Sequence, residues 1–365
     1  MNFSAGPAGL PLPVLERAKE ELLDYAGTGM SIMEQSHRGK MYERVHNEAL
    51  EAIRRILHIP DDYAVLFLQG GASMQFSQVP LNFLSKGNIA YYIVNGTWGE
   101  KARDEARIVA TREDTFAIEL ASTLEASTYT RAVDWKSLTV PSNAAYVHFT
   151  SNETVHGIQY AVRAGEALPT FGGTPVICDM SSDMMSRPID VTKFDFIYAG
   201  AQKNLGPSGV LIAVAKRSFL ASGTKSLPKF LQYRTHDDSA SLYNTPPTFA
   251  IYLVRHVLSW IEEQGGLTAV DATNRTKAQF IYDAIAAQPE VFHCPVAKNS
   301  RSLMNVVFRL PTQADEERFI KEAQGHHMVG LKGHRSVGGI RVSLYNAVST
   351  SDAKALAEFM GAFRL

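Results

Sequence analysis

One lysine in the sequence lies where covalent catalysis is expected. Lys203 follows the apolar run Phe194–Tyr198 in a stretch of small residues that leads to a second apolar run, Val210–Val214. A lysine withdrawn from water has a lowered pKa, and its neutral amine can form a Schiff base with a carbonyl group. A solvated loop lysine is the commoner arrangement, so Lys203 alone leaves both interpretations open.

Asp179 is the second residue with possible chemistry. It comes directly after the apolar run Val176–Cys178, and a buried carboxylate at such a point is costly unless it is paired. It can cap the next helix, or it can hold a cationic heterocycle. A Schiff-base lysine together with an aspartate that pairs with a pyridinium nitrogen is the combination found in pyridoxal-phosphate enzymes.

Two further segments meet the remaining needs of that cofactor. Gly70 and Gly71 separate an apolar run from a helical pattern, so the backbone at Ala72 and Ser73 can bind a phosphate; a tight turn capped by Ser73 is the alternative. Trp98 lies in a glycine-flanked loop and can stack on a flat ring, or it can be an ordinary core residue. The four signals are weak singly and together favour pyridoxal phosphate.

These residues all follow apolar runs of strand length. The runs are rich in aromatic and β-branched residues: Tyr63–Leu68, Ile89–Val94, Ala145–Phe149, Val176–Cys178, Phe194–Tyr198 and Val210–Val214. Several of them are followed by helix-compatible sequence. This alternation predicts an α/β fold with a mainly parallel sheet flanked by helices. Ligands of such sheets bind at the carboxyl ends of the strands, which is where the four signals fall.

The C-terminal part has a different pattern. A polar loop is predicted at 232–248, followed by a helix at Phe249–Gln264, a helix at 268–287, a strand at 304–310, a helix at 313–324 and a strand at 340–344. This order predicts a smaller C-terminal α+β domain. We therefore expect an N-terminal arm over residues 1–15, a large cofactor-binding domain over 16–255 and a small domain over 256–365.

The composition fits a soluble enzyme. The 365 residues are 45% apolar and 20% charged, with a net charge of −1, so neither a nucleic acid nor a membrane is expected as a partner bound by bulk charge. Cys178 and Cys294 are the only cysteines, which favours a reducing cytoplasm and argues against a disulfide framework or a metal site. The start shows no signal peptide, and no stretch approaches the ~18 apolar residues of a membrane span.

Five longer motifs carry more information than single residues. They read NFSAGP at 2–7, SHRGK at 36–40, YAGAQKN at 198–204, YNTPPTF at 243–249 and KGHRSVGG at 332–339. They resemble the motifs of the phosphoserine aminotransferases, which are class V, fold-type I pyridoxal-phosphate enzymes, and the match runs nearly end to end. The resemblance implies a homodimer that interconverts glutamate and 3-phosphohydroxypyruvate with 2-oxoglutarate and O-phosphoserine in serine biosynthesis. Bacterial members of the family also serve pyridoxine biosynthesis.

The resemblance also implies roles for individual residues. Lys203 corresponds to the lysine that carries the cofactor, Asp179 to the partner of the pyridinium nitrogen and Trp98 to the stacking ring. Further cofactor contacts correspond to Ala72, Ser73, Thr154 and Gln202, and to Asn244 and Thr245 from the other subunit. Arg341 corresponds to the residue that binds the substrate α-carboxylate, and the substrate-phosphate cluster corresponds to His37, Arg38, His334 and Arg335. Some family members have Gly-Arg in place of Ala72-Ser73, so one arginine of the phosphate site is missing here.

Three other functions compete with this prediction. A cysteine desulfurase needs a reactive cysteine on a mobile loop, and neither Cys178 nor Cys294 has that placement. An alanine–glyoxylate-type transaminase does not need the two His-Arg pairs at 37–38 and 334–335. A non-catalytic cofactor-binding or regulatory protein would keep the cofactor site, but the sequence shows no additional DNA-binding domain. A transaminase for a small phosphorylated amino acid is the favoured prediction.

Overall fold

A computed structural model describes residues 1–112, 114–161 and 165–365. The strands in this part of the chain are β1 (Tyr63–Leu68), β2 (Ile89–Val94), β3 (Phe116–Ser122), β4 (Leu124–Glu125), β5 (Thr128–Tyr129), β6 (Ala144–Thr150), β7 (Asn152–Glu153), β8 (Ile158–Gln159), β9 (Val176–Asp179), β10 (Phe196–Gly200), β11 (Leu211–Lys216), β12 (Asn305–Phe308) and β13 (Ile340–Ser343). The α-helices are α1 (Leu12–Glu20), α2 (Lys40–Ile56), α3 (Gly71–Phe83), α4 (Thr97–Arg112), α5 (Arg217–Ser222), α6 (Tyr233–Asp238), α7 (Thr248–Glu263), α8 (Gly266–Ala287), α9 (Gln313–Gly325) and α10 (Thr350–Ala362).

The large sheet has seven strands in the order β1-β11-β10-β9-β6-β2-β3. Neighbouring strands from β3 to β10 are parallel, and β11 is antiparallel to both of its neighbours, β10 and β1. All strands except β11 therefore point the same way, and their carboxyl ends meet at one edge. The predicted α/β fold with a mainly parallel, mixed sheet is confirmed.

Helices cover both faces of this sheet because its strands are apolar on both faces. In β1, Val65 and Phe67 pack into one cluster, which contains the apolar faces of α2 and α7. Ala64, Leu66 and Leu68 point the other way, into a cluster with residues of α3 and α4. The alternation is the period of two expected for a strand, and a strand buried on both faces is typical of a parallel sheet.

The last hundred residues form a smaller unit around a third apolar cluster. The antiparallel pair β12 and β13 packs there with apolar residues of α8, α9 and α10. Phe3 from the chain start is fully buried in the same cluster, so the predicted arm lies against this unit. The proposed boundary between 255 and 256 falls within the continuous helix α7, and the three-part division stays a prediction.

Three local predictions are wrong. The loop at 232–248 contains α6. The helical spacing of apolar residues from Leu12 to Tyr25 predicts a helix over that whole segment, whereas α1 ends at Glu20. Trp98 lies in the first turn of α4 rather than in a loop. The edge strand β3 was not predicted; it is only partly buried and lacks a continuous apolar run. Within the described residues, no helix is both long and apolar enough to span a membrane.

Candidate active site

Lys203 lies just beyond the carboxyl end of β10, at the edge where the strands converge. The chain start closes over it: the backbone N–H of Ala8 donates to the Gln202 carbonyl at 2.8 Å, and a Cβ on Gly6 would lie 3.6 Å from Lys203 Cγ. Enclosure in the protein lowers the pKa of the Lys203 amine, while the carboxylates of Asp179 and Glu153 act in the opposite direction. A lowered pKa increases the neutral fraction of the amine, which is the nucleophilic form.

Asp179 ends the neighbouring strand β9, with Tyr198 of β10 and Thr150 of β6 as its partners in register. It is buried, 4% exposed, and its Oδ1 accepts a hydrogen bond from the backbone N–H of Ser181 at 2.9 Å. Burial raises the pKa of Asp179, and the nearby charge of Lys203 lowers it. Burial of a charged carboxylate is unfavourable unless it is paired, so Asp179 suits a cationic partner such as a pyridinium nitrogen.

Trp98 is held beside these two residues by its position in α4 and by a side-chain contact. Its Nε1 donates to the hydroxyl of Thr154 at 2.9 Å. Lys203 Nζ lies 5.7 Å from the centroid of the Trp98 ring. Trp98, Thr154 and Lys203 thus line one cleft, and the tryptophan has an aromatic face available for stacking.

Glu153 belongs to the same site and was not predicted. It is fully buried, and its carboxylate accepts the backbone N–H groups of Trp98 at 3.0 Å and Gly99 at 2.7 Å. Burial raises the pKa of Glu153 to about 7, although these two hydrogen bonds lower it. The sequence signal was a glutamate immediately before Thr154, and without the fold nothing connected it with Trp98.

The start of α3 contains the residues that are predicted to bind the cofactor phosphate. Gly70 has φ of 86° and precedes the helix without a side-chain capping hydrogen bond. The first N–H groups of a helix have no intrahelical acceptor, so those near Ala72 and Ser73 can bind an anion. Ser73 is exposed and does not cap the helix, so the alternative of a serine-capped turn is not what the chain adopts.

Arg341 reaches the cleft from β13 of the smaller unit. Its Nε is buried without a hydrogen-bond partner in the described part of the chain, and its Nη1 makes a long contact of 3.4 Å to the Thr154 carbonyl. Burial lowers the pKa of the Arg341 guanidinium. A buried guanidinium with an unused donor is suited to a carboxylate, which can accept two parallel hydrogen bonds.

Other basic residues lie near Arg341. His334 is half-buried, with its Nδ1 2.7 Å from the Ser336 hydroxyl, and burial together with the charges of Arg341, Lys101 and Arg335 lowers its pKa. Lys101 was not predicted; it lies one turn along α4, with Nζ 4.6 Å from the centroid of the Trp98 ring. This cluster is positive and suits an anionic group of a ligand.

Four predicted residues are not brought to this cleft within one chain. His37 and Arg38 precede α2, and Asn244 and Thr245 precede α7. Their hydrogen bonds in the described residues are local or reach the α3 edge: Gln69 Nε2 donates to the Thr245 carbonyl at 3.3 Å. Gln202 is half-buried beside Lys203. The roles of all these residues stay predictions.

With this geometry in place, comparison with known families is informative. The model of the aminotransferase class-V family matches residues 1–356. The chain belongs to that family. The predicted class V membership is thereby confirmed, and so is the prediction of a pyridoxal-phosphate-dependent aminotransferase.

Individual relatives agree over almost the whole chain. A phosphoserine aminotransferase of Geobacillus kaustophilus is 50% identical over 365 residues, covering 100% of this chain and 98% of the relative. The structure of phosphoserine aminotransferase from Bacillus circulans subsp. alkalophilus superposes with a TM-score of 0.93 at 49% identity, covering 98% of this chain and 96% of the other. The pyridoxal-phosphate-bound enzyme from Trichomonas vaginalis gives a TM-score of 0.91 at 36% identity, with 98% and 99% coverage.

The two cysteines do not have the properties of a desulfurase nucleophile. Cys178 is fully buried in β9, and burial raises the pKa of its thiol well above the ordinary value. Cys294 is half-buried, and burial raises its pKa as well. A reactive cysteine needs a lowered pKa and access, so this class V aminotransferase lacks the thiol that the competing activity requires.

Proposed function

We propose that this protein transfers the amino group of glutamate to 3-phosphohydroxypyruvate, giving O-phosphoserine and 2-oxoglutarate. The observation that carries the proposal is the juxtaposition in one cleft of Lys203, Asp179 and the Arg341 guanidinium, whose Nε has no partner among the described residues. Relatives at about half identity over their full length bear the name phosphoserine aminotransferase. The cationic surroundings of His334 supply the charge that a phosphorylated substrate needs.

The residues present fit pyridoxal phosphate. The uncapped start of α3 suits the phosphate, Trp98 suits the ring, and Asp179 suits the ring nitrogen. When bound, the cofactor acts as an electron sink for the bond broken at the substrate α-carbon. Lys203 would hold the cofactor covalently and then carry a proton at its Nζ, for which the enclosed environment that lowers its pKa is appropriate.

The substrate is held through its two anionic ends. Arg341 would bind the α-carboxylate, which glutamate and O-phosphoserine share. Arg38, His334 and Arg335 would bind the phosphate or the distal carboxylate, as arginine forks suit both groups. The chain start over Lys203 would help to exclude water from the cleft.

A homodimer would bring the missing residues to the site. His37 and Arg38 follow Met30 and Met33 in the sequence, and these two methionines are 43% and 52% exposed. Asn244 and Thr245 follow Tyr243, which is 43% exposed. Exposed apolar residues beside both segments suit a protein interface, so we propose that the partner subunit places these four polar residues in the site. A cytoplasmic location is proposed as well, because the unpaired thiols of Cys178 and Cys294 suit a reducing compartment.

The primary test is a coupled assay of purified protein with glutamate and 3-phosphohydroxypyruvate. The expected result is formation of 2-oxoglutarate that depends on both substrates and is abolished in Lys203→Ala. Turnover of glutamate with an unphosphorylated keto acid at equal or higher kcat/KM would contradict the proposed substrate.

The dimer has a separate test. Lys203→Ala and Arg38→Ala proteins, each inactive or impaired, are mixed under conditions that allow subunit exchange. If Arg38 acts across the interface, a hybrid dimer contains one intact site and activity returns in part. Verified exchange without recovered activity would show that each site is built from one chain.

A further inference from the structure

Glu153 has contacts that its neighbours in the cleft do not share. It lies in the short strand β7 and is fully buried. Both carboxylate oxygens are used: Oε2 accepts from the N–H of Trp98 at 3.0 Å and Oε1 from the N–H of Gly99 at 2.7 Å. These two N–H groups belong to the first turn of α4, where no intrahelical acceptor exists.

The residue before α4 explains why a distant side chain occupies this place. Position 96 is the usual site of a capping side chain, but Gly96 has none. A Cβ on Gly96 would lie 2.6 Å from both Cδ and Oε2 of Glu153. The φ of Gly96 is not positive, so the glycine is required for space rather than for its backbone conformation. Glu153 therefore caps α4 from another part of the chain.

The cap acts on the residue that faces the cofactor site. Trp98 is held at its backbone by Glu153 and at its ring by Thr154, whose hydroxyl accepts from Nε1 at 2.9 Å. Two adjacent residues of one strand end thus define both the position and the rotation of the ring. The negative charge at the start of α4 is also favourable to the helix dipole.

We propose that Glu153 is a positioning residue: by capping α4 in place of a side chain at position 96, it fixes the Trp98 ring for cofactor stacking. The inference rests on the proposed function only through the cofactor, because binding of pyridoxal phosphate can be measured without any substrate. Glu153 also lies near Lys203 and Asp179: the charge of Asp179 raises the pKa of Glu153, and the charge of Lys203 lowers it.

The test moves the side chain that caps α4 from position 153 to position 96. Glu153→Ala should weaken pyridoxal-phosphate binding to the apoprotein on the order of tenfold or more, since two hydrogen bonds to a charged acceptor are lost. It should also change the visible circular dichroism of the bound cofactor. Gly96→Ser alone should be harmful because its side chain meets the Glu153 carboxylate. Added to Glu153→Ala, the same serine has room, can cap the helix and should restore affinity and dichroism in part.

Gly96→Ser should therefore lower cofactor affinity in the wild type and raise it in Glu153→Ala. This opposite effect on one measurement is not expected if Glu153 contributes only to overall stability. Asp195→Asn is a matched control, because Asp195 Oδ2 also accepts a backbone N–H, that of Val176 at 2.9 Å, but at the opposite ends of the strands. It should leave cofactor affinity and dichroism unchanged. Wild-type values for both quantities in Glu153→Ala, or equal harm from Gly96→Ser in both backgrounds, would overturn the proposal.

A second variant covers the case in which Glu153→Ala does not fold. Glu153→Gln fills the same space but keeps one acceptor oxygen, so its affinity for pyridoxal phosphate should fall and its dichroism should change. Wild-type values in this folded variant would likewise overturn the proposal. Absence of phosphoserine turnover in the wild type would contradict the proposed function alone, since none of these measurements uses a substrate.

Discussion

Arg341 offers the most direct test of how the cleft recognises its substrates. Its buried Nε has no partner in the described residues, and the contact of Nη1 with the Thr154 carbonyl is long, at 3.4 Å. The guanidinium can therefore give a carboxylate two parallel hydrogen bonds without giving up strong bonds of its own. A hydrogen bond to a charged group contributes about 1.5–3 kcal/mol.

Two substitutions distinguish the contribution of the two parallel hydrogen bonds from that of the positive charge. Arg341→Lys keeps the charge but loses the planar guanidinium that can give two parallel hydrogen bonds, and it should lower kcat/KM by about 10–150-fold for the loss of one such bond. Arg341→Ala loses both bonds and should lower it by at least about 100-fold, equivalent to roughly 3 kcal/mol. Glutamate and O-phosphoserine share the α-carboxylate, so the two half-reactions should fall by equal factors.

The assay follows each half-reaction by the absorbance of the bound cofactor. Arg318→Ala is the control, because Arg318 belongs to the same small unit but lies on its exposed surface with Asp315 and Glu322 as charge partners. Cofactor affinity should stay at the wild-type value in all these variants. If only the O-phosphoserine reaction falls in Arg341→Ala, the arginine binds the phosphate instead, and the assignment of the two ends of the substrate is refuted.

Three more predictions concern single side chains. Asp179→Asn should retain the fold but lose most of kcat, and a near-normal kcat would count against Asp179 as the partner of the ring nitrogen. Lys101→Met should lower kcat/KM for the phosphorylated substrate about two- to fivefold at low salt, as expected for an exposed charge, whereas Lys19→Met should have no effect. Burial lowers the pKa of Lys277 from 10.5 to about 7. Between these two pH values the unfolded chain keeps a proton on Lys277 that the folded chain releases. Stability in urea should then rise with pH between these values, by at most about 1.4 kcal/mol per pH unit, and Lys277→Met should abolish the rise; equal slopes would mean that the carbonyl acceptors of Lys277 keep the ammonium charged.

The large sheet was predictable because its strands are buried on both faces. Tyr63–Leu68 and Ile89–Val94 have the predicted bounds, since each is a continuous apolar run between polar turns. The edge strand Phe116–Ser122 is interrupted by Glu119 and has several exposed residues, so it lacks a continuous apolar run of this kind. The carboxyl-end rule placed Lys203 and Asp179 side by side correctly because it depends on topology alone.

Contacts that join distant segments were beyond the reach of the sequence. The glycines on both sides of Trp98 predict a loop, but α4 begins at Thr97, and Glu153 caps its first turn. Gly96, one of the two flanking glycines, leaves space for that carboxylate. The placement of His37, Arg38, Asn244 and Thr245 in the site of a second subunit stays a prediction.

The cleft lies between the large sheet and the smaller unit, and buried polar groups connect the two together with apolar residues such as Leu267 and Val270 of α8. Lys203 belongs to the large sheet and Arg341 to the smaller unit, but Asn204, the neighbour of Lys203, accepts the backbone N–H of Asn346 at 3.0 Å. Asn346 in turn accepts a hydrogen bond from Asn274 of α8 at 2.9 Å. Lys277, one turn further along α8, donates to three carbonyls of the segment that follows β13.

Each of these hydrogen bonds is buried and directional. Each therefore restricts the relative position of the large sheet and the smaller unit more than apolar packing of the same area would. The distance between Lys203 and Arg341, which we propose bind the cofactor and the substrate carboxylate, therefore depends in part on a few specific hydrogen bonds. A small displacement of a reacting group lowers the rate by a large factor. Substitutions that remove the hydrogen bonds of Asn204 or Asn346 should therefore lower kcat/KM, although neither residue touches substrate or cofactor in the proposed arrangement.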